Sequence, residues 1–251
     1  MSARFRPLVL CYHAVADGDP RRLEVNRDAM ARQLRSVLWR GYRAVRAGDT
    51  VAGRGRLVHV TFDDAFRSVR LALPVLERLK MPATVFACSG LADEGRPLDV
   101  PELAGEVAAD PEAYRTMSWD ELRELLERGI EIGAHTITHA HLPRLSDAEL
   151  DRELTEPKQR IEDELGRPCP FLAYPFGDED ARVRAAVRRA GYEAAFALQS
   201  PHRPFDVYAI PRVDIYRVDS LPRAVLKTSR IHRPLSRLRL SLRRAKRLEK
   251  P

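Results

Sequence analysis

Seven short apolar or alternating runs constrain the fold of this chain more than any other feature. They are predicted as strands over 8–13, 57–62, 83–88, 130–134, 171–174, 194–198 and 208–213. Most of them are separated by helical patterns, which favours βα units around a parallel sheet or barrel. The 251 residues, 44% of them hydrophobic, suffice for one large α/β domain or two small ones. Because nothing in the sequence marks a boundary between two catalytic domains, we expect a single one.

Capping residues and glycines define the predicted helices. Asn26 is a candidate N-cap, the pairs Ser118/Glu121 and Ser146/Glu149 have the spacing of capping boxes, and glycines 41, 129, 166 and 191 mark helix ends. Pro157 lies inside the helix that begins after Ser146. A proline inside a helix costs about 3 kcal/mol, so a kink or a break is expected there.

The segment from Ser89 to Met117 is long, acidic in places and weakly patterned. Connections of this length in a compact domain are often lids or binding loops, so we interpret it as a lid candidate, with a surface excursion as the alternative. Tyr114 and Trp119 beside it have rings that can stack on a sugar, although packing is the more common use of such rings.

Positive charge is concentrated at the C-terminus. Residues 227–251 contain ten Lys/Arg and one acid, so the other 226 residues sum to −2 within a net charge of +7. Leucines 235, 238, 242 and 248 lie at helical spacing among the arginines. This pattern predicts a basic amphipathic tail over 227–251, attached to a catalytic domain over 1–226. An anionic membrane surface or an acidic partner suits such a tail, whereas nucleic acid has only charge in its favour. The alternative without a function is a solvated, frayed terminus.

No secretion signal and no disulfide framework is recognisable. The apolar run at residues 8–11 is shorter than the core of a signal peptide, and no run is long enough to span a bilayer. We therefore expect a cytoplasmic protein, with the tail allowing contact with the inner face of the membrane. The cysteines at 11, 88 and 169 are widely spaced and odd in number, which predicts small buried side chains.

Two motifs carry the chemistry. Asp63 and Asp64 follow a predicted strand, and His135 and His139 follow another about seventy positions later. One Asp and two His can hold a divalent metal with an open coordination position, while the second Asp takes a proton from the attacking water. Either motif alone can be a turn or a chance pair, but the two together predict a hydrolase with a His2Asp site. These donors suit zinc, with cobalt, nickel or manganese as alternatives.

A third segment, Phe171 to Gly177, has the pattern of a strand that runs into a tight turn. A turn placed there can present a backbone N–H to a developing oxyanion, although Pro-x-Gly turns are common.

The chain resembles the polysaccharide deacetylase family, also called carbohydrate esterase family 4. Residues 61–64 match its first motif, residues 134–142 its second and residues 173–177 a variant of its third, and the resemblance covers residues 7–216. It implies an α/β fold of the incomplete (β/α)7 barrel type. It also implies Asp63 as general base, Asp64, His135 and His139 as metal ligands, and the backbone N–H of Phe176 as oxyanion donor. The implied reaction is metal-dependent removal of an N-acetyl group from a sugar or glycoconjugate.

Three features of the sequence depart from the family pattern. Ala65 stands where the family usually has glycine, and Ala173 stands where many members have an arginine that orients the catalytic Asp. Arg212 is our candidate to replace that arginine. The late Leu-x-x-His motif that supplies the general acid is not recognisable, so His13 is the first candidate for the acid and His141 and His202 follow.

Two other functions are compatible with the same sequence. One is a catalytically impaired barrel that only binds carbohydrate. The other is a related amidase that acts on a non-sugar C–N bond, since the same metal centre would serve it.

Overall fold

The computed structural model describes residues 6–53, 55–198 and 205–229. Its strands are β1 Leu8–Tyr12, β2 Ala14–Ala16, β3 Glu24–Asn26, β4 Arg43–Ala44, β5 Leu57–Phe62, β6 Ala83–Ala87, β7 Glu131–Ala134, β8 Phe171–Ala173, β9 Ala194–Leu198 and β10 Ile210–Asp214. Its α-helices are α1 Arg27–Trp39, α2 Ala47–Ala52, α3 Leu73–Leu79, α4 Ala104–Ala109, α5 Trp119–Glu127, α6 Asp147–Leu165, α7 Ala181–Arg189 and α8 Leu221–Lys227.

Seven parallel strands form a closed ring. Each strand from β5 to β10 pairs with the next, and β1 pairs with both β5 and β10. The predicted α/β barrel with seven strands is therefore confirmed. The sequence did not indicate β4, which adds two residues beside β5, or the small separate pair of β2 and β3.

Side-chain alternation divides the core into two layers. Outward residues of the strands, such as Leu10 and Val60, pack against the helices in the main core. Inward residues include Phe86, Phe171 and Phe196, which fill the barrel in a second cluster. Because these rings occupy the interior, the inward polar residues near the carboxyl ends of the strands are left to build a site.

The predicted caps are present, and one helix prediction needs correction. The side chains of Ser118 and Ser146 each accept from the N–H three residues later, in two capping boxes. However, α6 continues unbroken through Pro157, so the predicted break is wrong. Four buried aliphatic residues hold the two halves of α6 against the barrel, namely Leu150, Leu154, Ile161 and Leu165. At about 1.5–3 kcal/mol for each buried aliphatic chain, their burial outweighs the cost of the proline.

The lid candidate folds into a packed layer beside β2. It contains α4 and a 3-10 turn, Pro111–Tyr114, and buries its own cluster with Leu98, Leu103 and Tyr114. Tyr114 is buried, and the buried indole of Trp119 donates to Asp93 Oδ1 at 2.9 Å. Both rings therefore pack rather than present a face for sugar stacking.

The basic tail lies outside the described residues except for its first three. Lys227 is the last residue of α8, which packs on α1. His202 also lies outside the described residues. Within the described ranges, no helix is both long and apolar enough to cross a bilayer.

Candidate active site

A cleft of about 240 Å³ opens at the carboxyl ends of the barrel strands. Six of the seven predicted site residues line it, namely His13, Asp63, Asp64, His135, His139 and Phe176. Arg212, the seventh, lies below them and is fully buried. The lid candidate supplies one wall through Leu98, Val100, Glu102 and Leu103. Parallel strands bring residues distant in sequence to the same end of the barrel, which is why these groups meet.

Asp64 is the centre of the candidate metal site. Its backbone is left-handed (φ 67°), which turns its carboxylate into the cleft beside that of Asp63. Its Oδ1 lies 3.4 Å from His135 Nε2 and 3.2 Å from His139 Nε2. These separations match the edge of a tetrahedron of ligands around zinc, about 3.3 Å for bonds of about 2.0–2.1 Å.

The hydrogen bonds of His135 show which groups face each other. Its Nδ1 lies 2.8 Å from the carbonyl oxygen of Ala173, so Nδ1 carries the proton and donates. Its Nε2 then presents a lone pair to the carboxylate of Asp64. Asp64 Oδ1 is buried and has no hydrogen-bond partner among the described residues. Acceptors that face one another in a buried site repel unless a cation lies between them, so this donor set fits a divalent metal.

Two side chains of the candidate metal site have shifted pKa values. Burial alone would raise the pKa of Asp64, but the adjacent imidazoles of His135 and His139 hold it well below its usual value. Burial alone would lower the pKa of His135, but the carboxylates of Asp63 and Asp64 raise it. Protons would therefore compete with a metal ion for His135 at low pH.

Glu153 on α6 holds the loop between the two histidines. Its carboxylate accepts from the N–H groups of Ile137 and Thr138, at 2.7 and 3.1 Å, and from the Thr138 hydroxyl at 2.7 Å. Thr136 and His139 have positive φ, so this loop needs such support. Sequence reasoning missed Glu153, although an acid three residues after Leu150, on the apolar stripe of a helix, was a usable signal.

Asp63 is clamped by a buried arginine. Arg212 donates from both terminal nitrogens, at 2.6 Å to Oδ1 and 2.8 Å to Oδ2 of Asp63, and the thiol of Cys11 lies 3.4 Å from Oδ2. Burial alone would raise the pKa of Asp63, but Arg212 and then His135 hold it below its ordinary value of 3.8. Asp63 is therefore an anion at neutral pH with a fixed orientation. Cys11 was not predicted here, although it precedes His13 by two positions and so shares its inward face.

The general-acid candidates differ in their surroundings. His13 lines the cleft, stacks on Tyr216 at 5.5 Å between ring centroids, and has a buried Nδ1 without a partner in the described chain. His141 instead pairs through its two nitrogens with Asp178 and Glu102 and stacks on Phe176. Of the two, only His13 faces the cleft with a ring nitrogen that lacks such a pairing.

The departures at Ala65 and Ala173 have local explanations. Ala65 adopts φ 49°, a conformation that glycine adopts more easily, and its methyl group is buried in the main core. Ala173 leaves the space above β8 without an arginine, and Arg212 reaches the same Asp63 from β10. Phe176 is in a 3-10 turn, Pro175–Gly177, and packs its ring edge-on to His139 at 4.5 Å between centroids.

Comparison with known proteins identifies the family of this chain. The sequence profile of the polysaccharide deacetylases matches residues 50–195, more than half of the chain. The chain belongs to the polysaccharide deacetylase family. Its similarity to YxkH of Bacillus subtilis (strain 168), named as a polysaccharide deacetylase, is 21% identity over 217 residues, or 82% of this chain and 70% of YxkH.

Solved structures share the fold of this deacetylase-family chain. IcaB from Ammonifex degensii has a TM-score of 0.72 at 25% identity, over 90% of this chain and 98% of IcaB. The Streptococcus pyogenes deacetylase PplD, solved in complex with acetate, has a TM-score of 0.72 at 19% identity, over 90% of this chain and 99% of PplD.

Proposed function

We propose that this chain is a metal-dependent hydrolase that removes an N-acetyl group from a sugar or glycoconjugate and releases acetate and a free amine. The observation that carries the proposal is the arrangement of Asp64, His135 and His139, three buried side chains whose ligand atoms lie within 4.8 Å of one another, next to a clamped Asp63. Family membership supports a deacetylase, and acetate bound to the related PplD is the product of such a reaction.

Each residue has a proposed role. Asp64, His135 and His139 hold a divalent cation, for which zinc is our first choice, and its Lewis acidity would favour attack of water on the acetyl carbonyl. Asp63 accepts a proton from the attacking water, and Arg212 keeps it oriented and ionised. The backbone N–H of Phe176 donates to the developing oxyanion.

The amine requires a proton before it leaves. His13 donates that proton, because its ring lies in the cleft and its Nδ1 is free of the carboxylate pairing that holds His141. A donor at this position protonates the nitrogen while the C–N bond breaks, which typically contributes 10²–10⁴-fold to the rate.

The test is acetate release from N-acetylglucosamine oligosaccharides and glycoconjugates, with zinc or cobalt present, by wild type and by Asp63→Asn. We expect release by the wild type and a loss of at least about 10²-fold in the variant, since the base is gone. Metal content measured by elemental analysis should remain, because Asp63 is not one of the three proposed ligands. Asp147→Asn, in an exposed position on α6, is the matched control and should keep full activity.

Two results would contradict the proposal. A chain that loads metal but releases acetate from none of these substrates would indicate a barrel that binds without hydrolysing. Hydrolysis confined to non-sugar amides would indicate the amidase instead.

A further inference from the structure

The amino-terminal end of the barrel, opposite the cleft, is strongly cationic. It is built from the connections that lead from each helix into the next strand, together with the residues before β1 and after α8. In the described chain these connections contain six cations and one acid: Arg6, Arg40, Arg56, Lys80, Arg128 and Arg167, against Glu193. Arg43 and Glu131, the first residues of β4 and β7, lie at the same end. We call this end the basal face.

An apolar pair lies on the rim of the basal face. Trp39 ends α1 with 89% of its surface exposed, and Leu226 in the last turn of α8 is 48% exposed. The two helix ends lie together, because Arg40 donates to the hydroxyl of Thr228 at 2.7 Å. Aromatic and aliphatic side chains exposed beside a cationic surface are the composition of surfaces that bind at a membrane interface.

Charged groups surround this pair. Arg56 donates to the carbonyl oxygen of Arg40 at 2.6 Å, and the N–H of Arg43 donates to the carbonyl oxygen of Arg56 at 2.7 Å. Three arginines are thereby gathered beside Trp39. The chain leaves α8 at the same place and continues into residues 230–251, which contain nine Lys/Arg and one acid.

The opposite end of the molecule has the opposite charge. The segment Ser89–Met117, which walls the cleft, carries seven acids and two arginines. The body of the protein, close to neutral in total, is therefore polarised along the barrel axis. Such a charge distribution orients a molecule in front of a charged surface.

We propose that the basal face docks on an anionic lipid bilayer, with Trp39 and Leu226 entering the interface and the cleft facing away from it. Tryptophan is favoured at the level of the lipid headgroups, and cationic side chains are attracted by acidic lipids. A phosphate backbone would satisfy the arginines, but it offers no apolar layer for Leu226. The proposal is independent of the catalytic one.

The two tryptophans of the chain allow a direct test. Trp119 is 7% exposed, so Trp119→Phe in the full chain leaves Trp39 as the single reporter. With phosphatidylcholine vesicles that contain phosphatidylglycerol, we expect the emission of Trp39 to shift to the blue and to be quenched by lipids brominated in the acyl chains. Pure phosphatidylcholine vesicles should give neither effect, and high salt should weaken the binding because it screens the attraction.

Substitutions separate the two parts of the surface. Trp39→Ser should weaken co-sedimentation with the anionic vesicles by about tenfold or more, because an indole then no longer buries apolar area. Arg43→Ser should weaken it by about fivefold, the effect of one cation near an anionic surface. Arg152→Ser, an exposed arginine on α6 away from the basal face, is the matched control and should bind as the wild type does.

Three results would overturn the proposal. One is a full chain that does not sediment with anionic vesicles. The second is sedimentation in which the emission of Trp39 does not change, since the tail alone would then make the contact. The third is tight binding to duplex DNA without binding to vesicles, which would assign the cations to nucleic acid.

Discussion

The pair of Arg212 and Asp63 gives the sharpest quantitative prediction. Arg212→Met keeps the length of the side chain but leaves the carboxylate of Asp63 without its two charge-assisted hydrogen bonds. Removing one partner of a buried ion pair costs about 3–5 kcal/mol. Because Asp63 borders the cleft and water can reach it, we expect the lower end, about 3 kcal/mol of the free energy of unfolding. This corresponds to a decrease in Tm of about 6–12 °C for a domain of this size.

Urea denaturation of the wild type, Arg212→Met and a matched control gives the assay. Arg152→Met removes an exposed pair with Glu156 and should change the free energy of unfolding by about 0.5 kcal/mol or less. Adding Asp63→Asn to Arg212→Met should recover part of the loss, because the orphaned charge disappears. A loss in Arg212→Met as small as in the control would refute the reasoning.

The pH dependence of this difference has a defined sign. The folded-state pKa of Asp63 lies below its ordinary value of 3.8, so the contribution of the pair is complete above that value. It is lost as the pH falls through the folded-state pKa. The gap in stability between wild type and Arg212→Met should therefore be widest near neutral pH and narrow below about pH 4.

Three further predictions concern the loop, the barrel interior and the leaving group. Glu153→Gln should weaken zinc binding by about tenfold, measured by competition with a chelator, because Glu153 supports the loop between His135 and His139. Glu156→Gln, at an exposed position on the same helix, is the control and should not weaken it. Burial lowers the pKa of His59 to about 4 from 6.5, so stability present near neutral pH is lost as the pH falls between those values. About 2 kcal/mol of the free energy of unfolding should be lost between pH 7 and pH 5. Urea titrations at the two pH values should show a smaller loss in His59→Gln. His13→Gln should slow the release of a sugar amine by at least about 10²-fold but barely slow the hydrolysis of 4-nitrophenyl acetate, whose leaving group needs no proton. Equal losses of rate on both substrates would rule out a role for His13 as the general acid.

The sequence alone determined the barrel architecture and singled out the residues at the centre of the candidate active site. Strand periodicity, capping boxes and terminal glycines are local signals, because they depend on the preferences of neighbouring residues. They gave the seven strands of the ring and the helix starts at Asn26, Ser118 and Ser146. The fixed spacing within the two motifs likewise singled out Asp63, Asp64, His135 and His139.

Only the tertiary structure decided how distant groups meet. The contact of Arg212 with Asp63 joins β10 to β5, and that of Glu153 with the His135–His139 loop joins a helix to a strand end; neither has a local signature. Pro157 stays helical because tertiary packing outweighs a local preference. The sequence also did not reveal the charge separation between the acidic cleft wall and the basal face. Opposite charges alternate along the chain, and they separate only because the barrel places alternate connections at its two ends.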